Sequence, residues 1–91
     1  MKFTVIWTPT AEQDLAALWV EHPKSRTGIT RAARSVDLLL RENPQSRGES
    51  RYDTLRILIV HPLGVDFDVD EGNGIVSVLT VWHAGRRGSD G

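Results

Sequence analysis

The stretch of sequence that decides the fold is residues 55–83, LRILIVHPLGVDFDVDEGNGIVSVLTVWH. Between Leu63 and Asp70, apolar and polar residues alternate, as in a strand with one buried and one solvated face. His61–Pro62 before this segment and Glu71–Gly74 after it are turn sequences. The nearly continuous apolar run from Ile75 to Trp82 is typical of a central strand. The stretch therefore predicts three consecutive antiparallel strands.

One strand and two helices are predicted upstream of this meander. Phe3, Val5 and Trp7 alternate with the residues between them, and Thr8–Pro9 supplies an N-cap and a first helical residue. Pro23 is expected to end the first helix, and Asn43–Pro44 the second. The apolar stripes of these helices, at helical spacing, are Ala11, Leu15, Leu18 and Trp19, followed by Ile29, Ala32, Ala33, Val36, Leu39 and Leu40.

The predicted fold class is α+β, in the order β-α-α-β-β-β. A two-helix hairpin is expected to cover one face of a curved, four-stranded, mostly antiparallel sheet. The connections are predicted as loops, at residues 24–28 between the helices and 45–49 before the second strand. A chain of 91 residues is too short for two cores, so one domain is expected over residues 1–83, followed by a mobile Arg/Gly-rich tail over 84–91.

Composition excludes several classes of function. The chain has no cysteine, which rules out disulfides, thiolate catalysis and Cys-ligated metals. No apolar run approaches the length of about 18 residues that a membrane helix needs, and no signal-peptide core is present, so we expect a cytoplasmic protein without a membrane partner. The net charge is −1, although residues 24–56 carry eight Lys or Arg against four Asp or Glu. A locally basic surface is therefore compatible with the sequence.

Neither a metal site nor a cofactor site is predicted. Asp66, Asp68 and Asp70 have the spacing of the first ligands of a calcium loop, but the sixth position is Glu71 instead of Gly and the twelfth is Ser77 instead of Glu. A solvated strand face explains the three carboxylates better. The chain also lacks a glycine-rich phosphate loop.

Two features are candidates for chemistry. Arg56 lies in an otherwise apolar strand, and we expect its side chain on the sheet face away from the helices, opposite the face of Leu55, Ile57 and Ile59. An ion pair with Glu49 or Asp53 is the structural alternative, and the local sequence favours neither.

The second feature is His83, followed closely by Arg86 and Arg87. An imidazole can move a proton near neutral pH, and guanidinium groups can hold a phosphate. The alternative is a solubilising basic tail.

With these residues and this element order, the chain resembles the RelE/ParE superfamily of bacterial type II toxin–antitoxin toxins. The resemblance covers nearly the whole chain, from the first strand and the segment TPTAEQDL (residues 8–15) to the strand VLTVWH (78–83) with its arginine pair. It implies a compact toxin that a cognate antitoxin neutralises by laying a helix or strand over its surface.

The superfamily has two functional branches. Resemblance to the RelE-like branch implies a ribosome-dependent mRNA endonuclease, with the ribosome and mRNA as partners. Its functional residues lie on the open sheet face and near the C-terminus. Arg56 then matches a phosphate-contacting arginine, His83 lies near the place of a general acid or base, and Arg86 or Arg87 matches the tail arginine. Glu49 could correspond to a general base.

Resemblance to the ParE-like branch implies a DNA gyrase inhibitor without catalytic chemistry. The ending His83-Ala84-Gly85-Arg86-Arg87 is similar to endings frequent in that branch. The slightly acidic net charge and the absence of a tyrosine after the arginines are departures from the RelE-like pattern. Ribosome-dependent mRNA cleavage is the first expectation, with gyrase inhibition or a degenerate, non-toxic, antitoxin-binding member as alternatives. The sequence does not indicate an oligomeric state.

Overall fold

The computed structural model of the chain describes residues 2–85. Two α-helices pack on one face of a five-stranded sheet. The strands are β1 (Thr4–Trp7), β2 (Glu49–Tyr52), β3 (Leu55–Val60), β4 (Leu63–Asp70) and β5 (Ile75–His83). The helices are α1 (Pro9–Glu21) and α2 (Arg26–Leu40), with short 3-10 turns at Pro23–Ser25 and Pro44–Ser46.

The order of the strands across the sheet is β1-β5-β4-β3-β2. β1 runs parallel to β5, and all other neighbours are antiparallel. The predicted meander is therefore confirmed, and β5, with its continuous apolar run, is a central strand.

The register of the strands separates the sheet into two faces. Along β4, Leu63, Val65, Phe67 and Val69 are all buried. We call their side of the sheet, which the helices cover, the helix face, and the side of Asp66, Asp68 and Asp70 the open face. Residues paired directly across two strands share a face, so the register assigns every paired residue to one side.

The core lies between the helix face and the two helices. Apolar side chains from all the long elements contribute to it, which matches the alternation and the helical stripes of the sequence. Its buried members are Phe3, Ala11, Ile29, Ala32, Val36, Leu40, Leu63, Val65, Phe67, Val69, Val76, Val78 and Val81.

The start of α1 is fastened to an irregularity in β5. Between Val78 and Thr80, β5 contains one residue more than β4 opposite it, which is a β-bulge. Thr8 caps α1 by accepting a hydrogen bond from the Ala11 amide at 3.1 Å, and its hydroxyl donates to the Val78 carbonyl at 2.9 Å. The Asp14 carboxylate accepts from the Val81 amide at 3.0 Å. The Thr8 and Asp14 side chains thus bond to backbone groups of β5 beside the bulge, on the side of the strand where β1 ends at Trp7.

Two predictions of the element map are wrong. The sheet has five strands rather than four, because residues 49–52, which begin in the predicted loop 45–49 and belong to no predicted strand, pair with β3 as the edge strand β2. The second helix begins at Arg26, inside the predicted loop 24–28. Pro23 starts a 3-10 turn that leads directly into α2, so the connection between the helices has almost no irregular backbone. Within residues 2–85, no helix is long and apolar enough to cross a membrane.

Candidate functional site

Arg56 lies on the helix face, because it pairs with the buried Phe67 of β4. The expectation that it emerges on the opposite face is wrong. Its Nε donates to the Arg47 carbonyl at 2.7 Å, and a terminal guanidinium nitrogen donates to the Gly48 carbonyl at 3.1 Å. Arg56 therefore holds the backbone of the connection that leads into β2.

The alternative of an ion pair between Arg56 and Glu49 or Asp53 is also wrong. Within residues 2–85, the one ion pair joins Arg41 to Asp37 at 2.7 Å. Backbone carbonyls, rather than carboxylates, accept the hydrogen bonds of Arg56.

The same connection is tied to the end of α2. The Arg47 side chain donates to the Leu39 and Glu42 carbonyls, both at 3.2 Å. Gly48 has a φ of 64°, and a Cβ added there would lie 2.0 Å from the Ile57 carbonyl oxygen. The backbone thus approaches β3 so closely that only glycine fits. Arg56 is therefore a structural clamp, because its hydrogen bonds hold the backbone of Arg47 and Gly48 against β3.

Glu49 is placed on the other side of the sheet from Arg56. It pairs with Ile57 of β3, whose partner in β4 is Asp66, so its exposed side chain belongs to the open face. The register thus places Glu49 and Arg56 on opposite faces of the sheet, although the Arg56 guanidinium reaches the carbonyl of Gly48, the residue before Glu49.

His83 ends β5 on the helix face, opposite Leu63. Its ring stacks on that of His22, with centroids 4.2 Å apart and an interplanar angle of 15°. Its Nε2 is buried and has no hydrogen-bond partner within residues 2–85. Burial, and secondly the charge of His22, lower the pKa of His83 below its ordinary value of 6.5, so this imidazole is neutral at pH 7.

The other two histidines lie at the same end of the molecule. His22 is the C-cap of α1, and His61 begins the turn between β3 and β4. His61 lies in the predicted turn, and His22 directly precedes Pro23, where the first helix is predicted to end. The His61 Nδ1 lies 2.9 Å from the Gly85 carbonyl oxygen, and the Ala84 amide donates to the Pro62 carbonyl at 2.7 Å. Residues 84 and 85 are thereby held against this turn.

Arg56 and His83 are far apart. Arg56 pairs with Phe67 of β4 and His83 pairs with Leu63 of the same strand, so the two residues lie four positions apart along the sheet. Their own strands, β3 and β5, are separated by β4. At about 3.3 Å per residue and about 4.8 Å between strands, the two Cα atoms are roughly 16 Å apart. The guanidinium also reaches toward β2, at the sheet edge away from β5. Arg86 and Arg87 lie outside the described residues.

The open face is acidic. Asp66 accepts a hydrogen bond from the Thr80 hydroxyl and Asp68 one from the Thr54 hydroxyl, while Asp70 caps the following turn through Asn73. The hydrogen bond from the Asn73 side chain is the largest cause of the lowered pKa of Asp70.

None of the strand-paired positions on the open face is Lys or Arg. These positions are Thr4, Ile6, Glu49, Tyr52, Leu55, Ile57, Ile59, Gly64, Asp66, Asp68, Asp70, Ile75, Ser77, Thr80 and Trp82. Apart from carboxylates and hydroxyls, these paired positions carry apolar groups such as Trp82, whose indole lies over Gly64.

Within residues 2–85, no three His, Asp or Glu side chains are close enough together to hold a metal ion. The described part of the site thus contains a clamped arginine, a neutral, half-buried histidine and an acidic face.

Sequence comparison gives the family. Residues 5–88 match the family described as ParE toxin of type II toxin–antitoxin system, parDE, which is most of the chain. The chain belongs to the ParE toxin family. The resemblance drawn from its residues is confirmed, and this ParE-family chain is a toxin of a type II toxin–antitoxin system. A comparison with curated protein sequences finds no match.

Two solved structures share the fold of this ParE-family toxin. One is a chain of the toxin–antitoxin complex RelBE2 from Mycobacterium tuberculosis, with a TM-score of 0.70 and 21% identity over 91% of this chain and 92% of that one. The other is a chain of the chromosomal ParDE system from P. aeruginosa, with a TM-score of 0.74 and 20% identity over 90% and 96%. The architecture is therefore common to structures from both branches of the superfamily.

Sequence reasoning missed the residues that fasten this ParE-family toxin together around β5. The sequence does not indicate the contact of Asp14 with β5, because a single acidic residue in the first half of a helix is common. The sequence around Thr8 predicts an N-cap but does not indicate that its hydroxyl donates to β5. The stack of His22 on His83 joins residues 61 positions apart in the chain, and no local pattern indicates such a contact.

Proposed function

We propose that this toxin inhibits DNA gyrase by binding it, without catalytic chemistry of its own, and that a cognate antitoxin neutralises it. The family supports the first part, since the match is to ParE toxins. Ribosome-dependent mRNA cleavage, the first expectation from the sequence, is the less well supported alternative.

The observation that carries this proposal is the separation of the candidate catalytic residues. Glu49 and Arg56 lie on opposite faces, and Arg56 and His83 are roughly 16 Å apart. A general base must come within hydrogen-bonding reach of the proton it removes, while a phosphate ligand holds the same reacting group. At that separation, Arg56 and His83 do not meet this requirement on one reacting group.

Charge also argues against RNA as the substrate of the open face. Binding to a nucleic acid draws much of its affinity from Lys and Arg that replace counterions on the phosphates. The open face offers carboxylates instead. A basic protein surface is a better partner for such a face than a phosphate backbone, and an enzyme that binds DNA must present basic surfaces of its own.

The antitoxin is proposed by analogy with the two similar structures, each of which comes from a toxin–antitoxin system. The family description names the same kind of system. This toxin is therefore expected to be made together with a protein that binds it tightly.

The proposal can be tested in cells by inducing the toxin and following two processes in parallel. We expect plasmid DNA to lose negative supercoiling before incorporation of labelled methionine declines. An immediate arrest of protein synthesis with cleaved mRNA and unchanged supercoiling would instead support the nuclease alternative. Normal growth would identify a non-toxic member.

A further inference from the structure

The open face of the sheet is not covered by any helix or strand of residues 2–85, because both helices pack on the helix face. Large apolar side chains are nevertheless exposed on it: Tyr52 is 76% exposed, Ile59 45% and Ile6 43%. Exposed apolar groups that gather on one side of an ordered sheet mark a surface for contact with another protein. Their arrangement, and the charges among them, indicate the chemistry of that partner.

Apolar side chains of the open face form a row along β3, at alternate positions about 6.6 Å apart. This row, here called the apolar row, consists of Leu55, Ile57 and Ile59. An aromatic residue lies beside each of its ends. Tyr52 pairs with Leu55, and Trp82 lies across Gly64 from Ile59, with its indole against that glycine. Aromatic side chains are enriched among the anchors of protein interfaces, so both ends of the row are suited to contact with a partner.

Carboxylates lie directly beside the apolar row. On β4, Asp66 pairs with Ile57 and Asp68 with Leu55, so each aspartate lies about 5 Å from an apolar neighbour. Glu49 adds a carboxylate on the other side of Ile57. Hydrogen bonds from two threonine hydroxyls fix the aspartates in place, but none of the three carboxylates forms an ion pair within residues 2–85. Their negative charges are thus held in position without being neutralised by this part of the chain.

Lysine and arginine side chains of a partner match this combination. Each has an aliphatic stem that ends in a cation, so the stem can lie on the apolar row while the cation meets a carboxylate about 5 Å away. Because no strand-paired position of the open face carries Lys or Arg, none of these positions competes for the carboxylates. An acidic surface or a phosphate backbone would be repelled instead. The face therefore fits a protein surface in which basic and apolar residues are mixed.

We infer that the open face is the surface through which the toxin binds DNA gyrase, and that it contacts a basic patch of the gyrase protein. The inference rests on the proposed function in that it takes gyrase as the target. An enzyme that binds DNA presents Lys and Arg to the phosphates, and the carboxylates of the toxin are complementary to such groups. Basic side chains of gyrase would place their stems on the apolar row and their cations against Asp66 and Asp68. Tyr52 and Trp82 would be buried at the two ends of the contact.

Two matched pairs of substitutions test this surface. Glu49→Lys and Glu21→Lys make the same change of charge at exposed residues, the first on the open face and the second at the end of α1. Ile59→Ser and Val20→Ser likewise remove an exposed β-branched side chain from β3 and from α1. Circular dichroism first verifies that each variant is folded. Binding of each purified toxin to the gyrase holoenzyme is then measured by surface plasmon resonance, with inhibition of supercoiling in parallel.

We expect Glu49→Lys to bind gyrase about tenfold more weakly than the unsubstituted toxin, because it places a cation against a basic surface. This loss should be larger at low salt than at high salt. Ile59→Ser should weaken binding about threefold, since nearly half of this side chain is left for a partner to bury. The two α1 variants should bind like the unsubstituted toxin, and inhibition of supercoiling should follow binding in all four.

Equal binding by the two lysine variants, or a loss of binding confined to the two α1 variants, would overturn the assignment of the open face while leaving gyrase as the target. A loss in Glu49→Lys that did not depend on salt would overturn the basic character of the gyrase patch. Undiminished binding by Ile59→Ser would overturn the role of the apolar row. If the unsubstituted toxin neither bound gyrase nor inhibited it, the proposed function and this inference would both fail.

Discussion

Replacing Arg56 by methionine separates a structural role for this residue from a catalytic one. Methionine keeps most of the aliphatic stem, so the substitution removes chiefly the two hydrogen bonds to the Arg47 and Gly48 carbonyls. The first is partly buried. A charged donor there is worth about 1.5 kcal/mol, at the low end of the range for such bonds. The second is exposed to water and is worth less, so the loss should total about 1–2 kcal/mol.

The assay is urea unfolding followed by tryptophan fluorescence. We expect a lower midpoint with an unchanged slope, and a melting temperature lower by roughly 10 °C, since 1 kcal/mol corresponds to about 4–8 °C in a domain of this size. Arg34→Met is the control, because Arg34 is exposed and forms no ion pair in the described part of the chain. It should change stability by less than about 0.5 kcal/mol. If both variants were as stable as the parent, Arg56 would not be a clamp.

Three further substitutions test the account of the fold. Asp14→Ala should cost about 1–3 kcal/mol of unfolding free energy, because it leaves the Val81 amide at the bulge without an acceptor; an unchanged urea midpoint would contradict this. Gly48→Ala should cost about 3 kcal/mol or more, since a Cβ meets a backbone carbonyl at a φ of 64°, and a folded variant of parental stability would exclude the close approach. The lowered pKa of His83 means that the unfolded chain binds more protons below pH 6.5, so stability should fall as pH drops from 6.5 toward that pKa. His83→Gln should flatten this dependence in unfolding curves measured at several pH values, and an equally steep dependence would show that other groups cause it.

The parts of the fold that could be predicted are those with a single strong pattern. Leu63–Asp70 alternates cleanly, and its apolar residues Leu63, Val65, Phe67 and Val69 are all buried against the helices. The N-cap at Thr8 and the turn at Glu71–Gly74 are similarly local. Each depends on the chemistry of a few neighbouring residues, which is present in the sequence itself.

The face of Arg56 could not be read from its own strand. Leu55–Val60 is apolar at both alternating sets of positions, so the pattern does not choose which set is buried. The pairing of neighbouring strands does. Because the turn after Val60 contains two residues, Val60 lies opposite Leu63, and Arg56 must then lie opposite Phe67. Register, rather than composition, decides the position of this arginine.

The sequence of the edge strand β2 shows no alternation of apolar and polar residues. All four residues of Glu49–Tyr52 are exposed, so burial imposes no alternation on them. The strand exists because its backbone groups pair with β3. The histidine stack and the contacts of Asp14 are likewise products of tertiary packing. These contacts form only when folding brings distant parts of the chain together.

The measurement that tests the central claim most directly is DNA supercoiling by purified gyrase in the presence of the purified toxin. We expect the toxin to inhibit supercoiling. We also expect it to leave mRNA on purified ribosomes uncut. Gyrase that remains fully active, together with toxin that cuts mRNA on purified ribosomes and loses this activity on Glu49→Gln, would contradict the account.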